Sequence, residues 1–200
     1  MAINSFEDAA DILPKFLSPA DRKQLFREVQ AFLSSGKLTY YTIVEDPEPL
    51  QGDGWSPAIF FDVNSGTCKS GIVCIVSNSC DIAQRENVTE PLAVTMAPIV
   101  TISKFRNVLS NHGVSESSID DQIRQIQRQE VSSIFYLPRG AKLTEDSLAL
   151  FDLVGPAKRK MFNPENGVVR LFTLSQSAWW LFLVKLGIHY CRAQEGFRRA

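Results

Sequence analysis

The chain has 200 residues, a formal net charge of −1, 44% hydrophobic and 22% charged residues, the balance of an ordinary globular protein. So small a net charge gives no general field to draw the chain onto nucleic acid or an anionic bilayer. The local basic runs, Lys158, Arg159 and Lys160 with Arg192, Arg198 and Arg199 near the end, are expected to be solvated faces.

The amino terminus, MAINSFEDAADILPKF, has no basic start followed by an apolar block and does not resemble a signal peptide. The dense apolar run AWWLFLVKLGI is too short to span a bilayer and is interrupted by Lys185. A cytoplasmic protein without membrane contact is expected, and Cys68, Cys74, Cys80 and Cys191 are then reduced thiols. Cys68, Cys74 and Cys80 are each separated by five residues, which is not the close pairing of a zinc site. The two histidines, His112 and His189, do not complete one. Glycine-rich phosphate loops, paired helical histidines and calcium loops are all missing, so no metal and no cofactor is expected.

FEDAADILPKF predicts a short helix stopped near Pro14. SPADRKQLFREVQAFLSSG predicts a second, capped at Ser18, with Leu25, Phe26, Val29, Phe32 and Leu33 on one face and Gly36 at its close. Strands follow at KLTYYTIV, PAIFFDV and IVCIVS, with the EDPEPLQGDGW loop and NSGTCKSG turn between them. IVCIVS is apolar on both faces and should be central. PLAVTMAPIVTI continues the sheet. Residues 103–130 form a helical insertion, whose SESSIDDQIRQIQRQ helix carries only a thin stripe of Ile119, Ile123 and Ile126. Such a stripe packs on a partner or on the body of the domain. VSSIFYLP, SLALFDLV and GVVRLFTL are further strands, and a helix capped at Ser175 or Ser177 closes the chain.

About six or seven short, mostly consecutive strands point to an α+β class. The expected architecture is a small, mostly antiparallel β-barrel or strongly curved sheet. A single domain spans 1–200: a helical part over 1–36, a β core over 38–101 and 131–174, the insertion, and a closing helix over 175–195.

The candidate site lies where the central strand runs into Ser77-Asn78-Ser79-Cys80-Asp81. Strand ends and the loops after them are where a rigid scaffold presents reactive groups, so Cys80 and Asp81 are the catalytic candidates, with Ser77, Asn78 and Glu90 beside them. Catalysis by the thiol needs a histidine or cation nearby. Otherwise Cys80 fills a small pocket and Asp81 bonds the turn. His189, on the apolar closing helix, is expected to be structural. Trp179 and Trp180 cannot point the same way on a helix. One should enter the core while the other faces a groove, the insertion or another subunit. The acids Asp120, Asp121, Glu145 and Asp146 fall in helix-start or turn positions.

Ser77, Cys80, Asp81, Ile82, Glu90, Pro91, Val94, Ala97, Pro98 and Ile99 form a pattern that resembles a group of bacterial and phage proteins found in mobile elements. RLFTLSQSAWW, a strand leading into an aromatic helix, fits the same group. The resemblance implies a mobile-element, toxin–antitoxin or phage-defence setting and no particular activity. GIVCIVSN is also similar to an early strand of the MazF/PemK-like toxins, which implies an SH3-like barrel and ribonuclease chemistry. That chemistry uses an early basic residue, for which the preceding loop offers Lys69, whereas EDPEPLQGDG is an acidic loop. Two functions are therefore expected as alternatives. The first is a non-enzymatic protein-interaction module, with a protein partner or homo-oligomer contacted through Ile119, Ile123, Ile126, Trp179 and Trp180. The second is a small nucleic-acid-acting or cysteine-dependent enzyme centred on Cys80 and Asp81.

Overall fold

A strand that is apolar at odd and even positions alike is stable only between two covered faces, and Ile72–Ile75 and Val94–Ile99 are such runs. The computed structural model places both near the middle of one sheet. It describes residues 39–63, 65–83 and 93–191, with the isolated helical positions Lys23 and Arg27. The helices predicted in residues 1–36, together with Glu90, Pro91, Arg192, Arg198 and Arg199, lie outside the described residues.

The strands are β1 (Tyr41–Thr42), β2 (Gly54–Asp62), β3 (Thr67–Ile75), β4 (Val94–Thr101), β5 (Ile134–Leu137), β6 (Ser147–Leu150), β7 (Gly155–Ala157) and β8 (Val169–Leu174). All pairs are antiparallel, in the order β1-β8-β2-β3-β4-β6-β5, with β7 pairing β4. The helices are α1 (Ser79–Ile82), α2 (Ile102–Asn111), α3 (Glu116–Gln127) and α4 (Gln176–Tyr190). The α+β class and the central place of β3 agree with the sequence.

The barrel does not form: the sheet stays open. KLTYYTIV yields only two paired residues, because after Thr42 the chain peels away from β8. The end strands instead meet through side chains. The Tyr41 hydroxyl donates to the Pro138 carbonyl at 2.6 Å, and the Tyr40 ring lies 6.1 Å from that of Tyr136.

One face of the sheet is covered by α4, whose Phe182 packs edge-on to Phe135 and Phe151 at 5.2 and 5.4 Å. The opposite face is covered in two parts. Trp55, Val73, Ile75, Val94, Met96 and Phe162 share one cluster that also includes Ile82 of α1. The insertion covers the other part: α2 and α3 start at side-chain caps from Thr101 and Ser115, and Ile126 packs on Ile134 and Leu148. Arg106 ties the two helices by ion pairs to Glu116 and Asp120.

Gly54 is required where β2 passes Phe172, since a Cβ there would come within 2.1 Å of the ring. Two sequence expectations fail locally. The segment NSGTCKSG was expected to be all turn, but Thr67–Gly71 is strand, and Gly155–Ala157 is a strand too short to show a pattern.

Beyond Ser56, β2 pairs with β3 alone, and β3 pairs with β4 only from Ile72 onward. Ala58–Asp62 and Thr67–Gly71 therefore form a two-stranded arm of roughly 17 Å on each side. Gly66, at φ +65°, supplies the left-handed residue of its turn, and its N–H donates to the Asp62 carbonyl at 2.9 Å.

Candidate functional site

Ser77, Asn78 and Ser79 are the polar residues that end the central strand, and each serves backbone. The Ser77 hydroxyl accepts from the Thr95 N–H at 2.7 Å, Asn78 caps α1 by accepting from the Cys80 N–H at 2.8 Å, and Ser79 accepts from the Gln51 N–H at 2.9 Å. The stretch is a knot that binds the end of β3 to the neighbouring loop. Cys80 and Asp81 then fall on the exposed side of a one-turn helix, while Ile82 turns into the core.

No histidine reaches this rim. His189 lies ten residues beyond Trp179 on α4, about 15 Å of helix rise, and contacts Asp152 at 3.2 Å. His112 ends α2 with its Nδ1 2.7 Å from the Val108 carbonyl, on the insertion. Among the described residues no group of three or more His, Cys, Asp or Glu could hold a metal, and no helix is long and apolar enough to cross a membrane.

Trp179 and Trp180 divide as expected: Trp180 is buried and Trp179 is half-buried, the rings 4.6 Å apart. Trp179 borders a groove of about 410 Å³ with Gln51, Ser79 and Gln176, and its indole N–H donates to the Gln51 amide at 3.3 Å. The isoleucine stripe has gone the other way. Ile119, Ile123 and Ile126 are 0%, 7% and 0% exposed, and Ile126 packs on Ile134 and Leu148 of the sheet. Asp120 pairs with Arg106 and Asp121 with Arg124, Glu145 accepts from Ser103, and Asp146 accepts from the Tyr136 hydroxyl and the Arg139 N–H.

Two features went unforeseen. The first is a buried ionic lock under the acidic loop. Asp53, 0% exposed, accepts from the Leu50 N–H at 2.9 Å and lies 2.9 Å from Nε of Arg170. Arg170 stacks over Trp55 at 5.1 Å and donates to the carbonyls of Val44, Asp46 and Glu48. Burial pushes the Asp53 carboxyl up to about 6, against the pull of the Leu50 N–H, Arg170, Thr173 and Trp55. Asp53 Oδ1, Trp55 Nε1, Arg170 Nε and Thr173 Oγ1 lack hydrogen bonds of normal geometry, so the Asp53–Arg170 contact is an ion pair rather than a well-formed hydrogen bond.

Arg159 joins the same loop. Rather than lying on a solvated basic face it is 8% exposed, paired with Glu48 and donating to the Ile82 carbonyl at 3.3 Å. These groups fix the loop, and Trp55 and Arg170 also line a groove of about 520 Å³ with Val44, Asp46 and Lys142.

The second unforeseen feature is the β2–β3 arm. Ile59, Phe61 and Val63 are 57%, 60% and 60% exposed. A register slip between Trp55 and Ala58 puts those two residues on one face and turns Ile59 and Phe61 to the other. Ser70 and Cys68 stand directly opposite Ile59 and Phe61. On the reverse face Phe60 packs partly on the core, and Lys69 pairs with Asp62. The signal was present in PAIFFDV opposite TCKS: a buried strand would not face so polar a neighbour.

Comparison of the chain with protein-family models, curated proteins and solved structures gives no match in any of the three.

Proposed function

We propose that the protein is a protein-interaction module whose contact surface is the apolar face of the β2–β3 arm. The observation that carries this reading is the pair Ile59 and Phe61 on one face of β2, each more than half exposed, with the equally exposed Val63 in the turn that follows. Scattered apolar residues are ordinary on a surface, but a contiguous patch marks a place of contact. Covering it gains about 25 cal/mol for every Å² removed from water. The arm also stands clear of the sheet on both backbone edges, as a contact element does.

This reading places the contact away from the insertion stripe, whose three isoleucines are buried. The resemblance of the Ser77–Ile99 pattern to mobile-element proteins supports a bacterial or phage setting, such as a toxin–antitoxin or phage-defence locus. An enzyme centred on Cys80 and Asp81 draws no support from the placement of His112 and His189.

Site-specific photo-cross-linking in cells tests the surface. A photoreactive phenylalanine analogue replaces Ser70, which is exposed on the apolar face of the arm, or Asp81, which is exposed at the rim. Strong intermolecular cross-linking from position 70 and little from position 81 is expected. The reverse pattern, or none from position 70, sinks the reading.

A further inference from the structure

The open sheet ends at β5, and an end strand offers its unpaired N–H and C=O groups to any strand that meets it. The Phe151 N–H donates to the Ser133 carbonyl at 2.8 Å, so Ser133, Phe135 and Leu137 turn their backbone groups to β6. Ile134, Tyr136 and Pro138 turn theirs outward, and every one of those groups is taken. The Ile134 N–H donates to the Val131 carbonyl at 3.3 Å, and the Ile134 carbonyl accepts from the Lys185 ammonium. The Tyr136 N–H and carbonyl are both held by the Gln129 amide, at 3.2 and 2.9 Å. Pro138 has no N–H, and its carbonyl accepts from the Tyr41 hydroxyl at 2.6 Å.

Gln129 therefore meets Tyr136 as a residue of a neighbouring strand would, with one donor and one acceptor to the same residue. Two further bonds orient its amide: Lys185 donates to the oxygen at 2.8 Å, and the nitrogen donates to the Tyr40 hydroxyl at 3.3 Å. The backbone around it was not built for glutamine. Gln129 follows the C-cap of α3, with its N–H on the Ile126 carbonyl and the Glu130 N–H on the Gln125 carbonyl. Those are the paired closing bonds of a helix end whose left-handed position commonly takes glycine. At φ +62° glycine would fit more easily, so the helix end does not explain the residue and the amide does.

We infer that Gln129 is a surrogate strand: with Lys185 it seals the β5 edge, and without it that edge accepts a strand. In a pure solution of the chain, the strand it takes belongs to another copy. The seal is a self-blocking contact of the sheet edge and does not rest on the reading of the arm.

Gln129→Gly in the full chain tests this, because glycine suits the backbone at that position and keeps the helix end. Amide exchange is followed residue by residue by NMR, and association by sedimentation velocity. At low concentration the Tyr136 amide should exchange at least about tenfold faster than in the wild type, while the Phe135 and Leu137 amides, which face β6, keep their wild-type rates. Toward about 100 μM the variant should associate at least about tenfold more tightly than the wild type. Tyr136 should then regain its protection, which places the new contact on β5.

A Tyr136 amide as slow in the variant as in the wild type overturns the inference. So does a variant that associates no more tightly than the wild type, or one whose added association leaves Tyr136 unprotected. If Phe135 and Leu137 lose protection together with Tyr136, the same measurements on Lys185→Met decide. That substitution uncaps the Ile134 carbonyl and removes a bond that orients the Gln129 amide. Faster Tyr136 exchange with tighter association is again expected, and the lack of either overturns the inference.

Discussion

Arg170→Ala is expected to lower folding stability by about 3–5 kcal/mol, the usual cost of removing one partner of a buried ion pair. Asp53 would keep its place at 0% exposure with its nearest cation gone, and the carbonyls of Val44, Asp46 and Glu48 would lose their donor. The Trp55 face would lose its stacked guanidinium as well. Arg170→Lys should recover only part of the loss, because an ammonium cannot reach three carbonyls and a carboxylate at once. Urea unfolding of the two variants checks this. A loss below about 1 kcal/mol for Arg170→Ala would mean the pair is no stronger than an exposed salt bridge.

A rise in stability between pH 7 and 9 is expected from Lys185. Its ammonium, on a residue 4% exposed, donates to the Gln129 amide oxygen at 2.8 Å and to the Ile134 carbonyl. Burial lowers it from the ordinary 10.5 to about 7. Below pH 7 the group is charged whether the chain is folded or not, and the cost of burying that charge is present in full. Between 7 and 10.5 the unfolded chain holds a proton that the folded chain has released. Stability therefore climbs with pH, by up to about 1.4 kcal/mol per unit.

Burial raises Cys74, Tyr40, Tyr41 and Tyr136. Each opposes the trend once pH passes its ordinary value, so the gain should amount to about 2–3 kcal/mol and level off near pH 9. Thermal unfolding followed against pH should show this slope in the wild type and lose it in Lys185→Met. A slope that survives the substitution would assign the titration to another group.

Lys185 and Asp53 show where sequence pattern stops short. The capping serine located the start of α4 to within a residue or two, with Ser175 as the cap, whereas the helix ends at Tyr190 rather than at 195. Pattern located β3 because a strand apolar on both faces must be interior. Nothing local says that Lys185 is folded inward: its partner Gln129, in a left-handed conformation at φ 62°, lies 56 residues away. Asp53 sits in a loop of acids and prolines that looks fully solvated, and the Leu50 N–H together with Arg170, far along the chain, makes its burial tolerable.

The isoleucine stripe was ambiguous for a related reason. Spacing shows that Ile119, Ile123 and Ile126 share a face and is silent on what covers it. The open sheet could not be foreseen either. β1 stops pairing with β8 at Thr42 and does not pair with β5, a long-range outcome that local pattern does not carry. The arm was legible in part. PAIFFDV was a strand from its composition, but the slip after Trp55 that turns Phe61 outward depends on pairing with β3.

Hydrogen exchange measured with and without the protein captured by the position-70 photo-cross-link tests the central claim most directly, because it locates contact without altering the chain. Amides of residues 58–71 should gain protection in the complex, while those of Cys80–Ile82 and of α2 and α3 stay unchanged. Equal exchange in the arm with and without that protein, or protection that arises instead at the Cys80 rim or the insertion, would contradict the account.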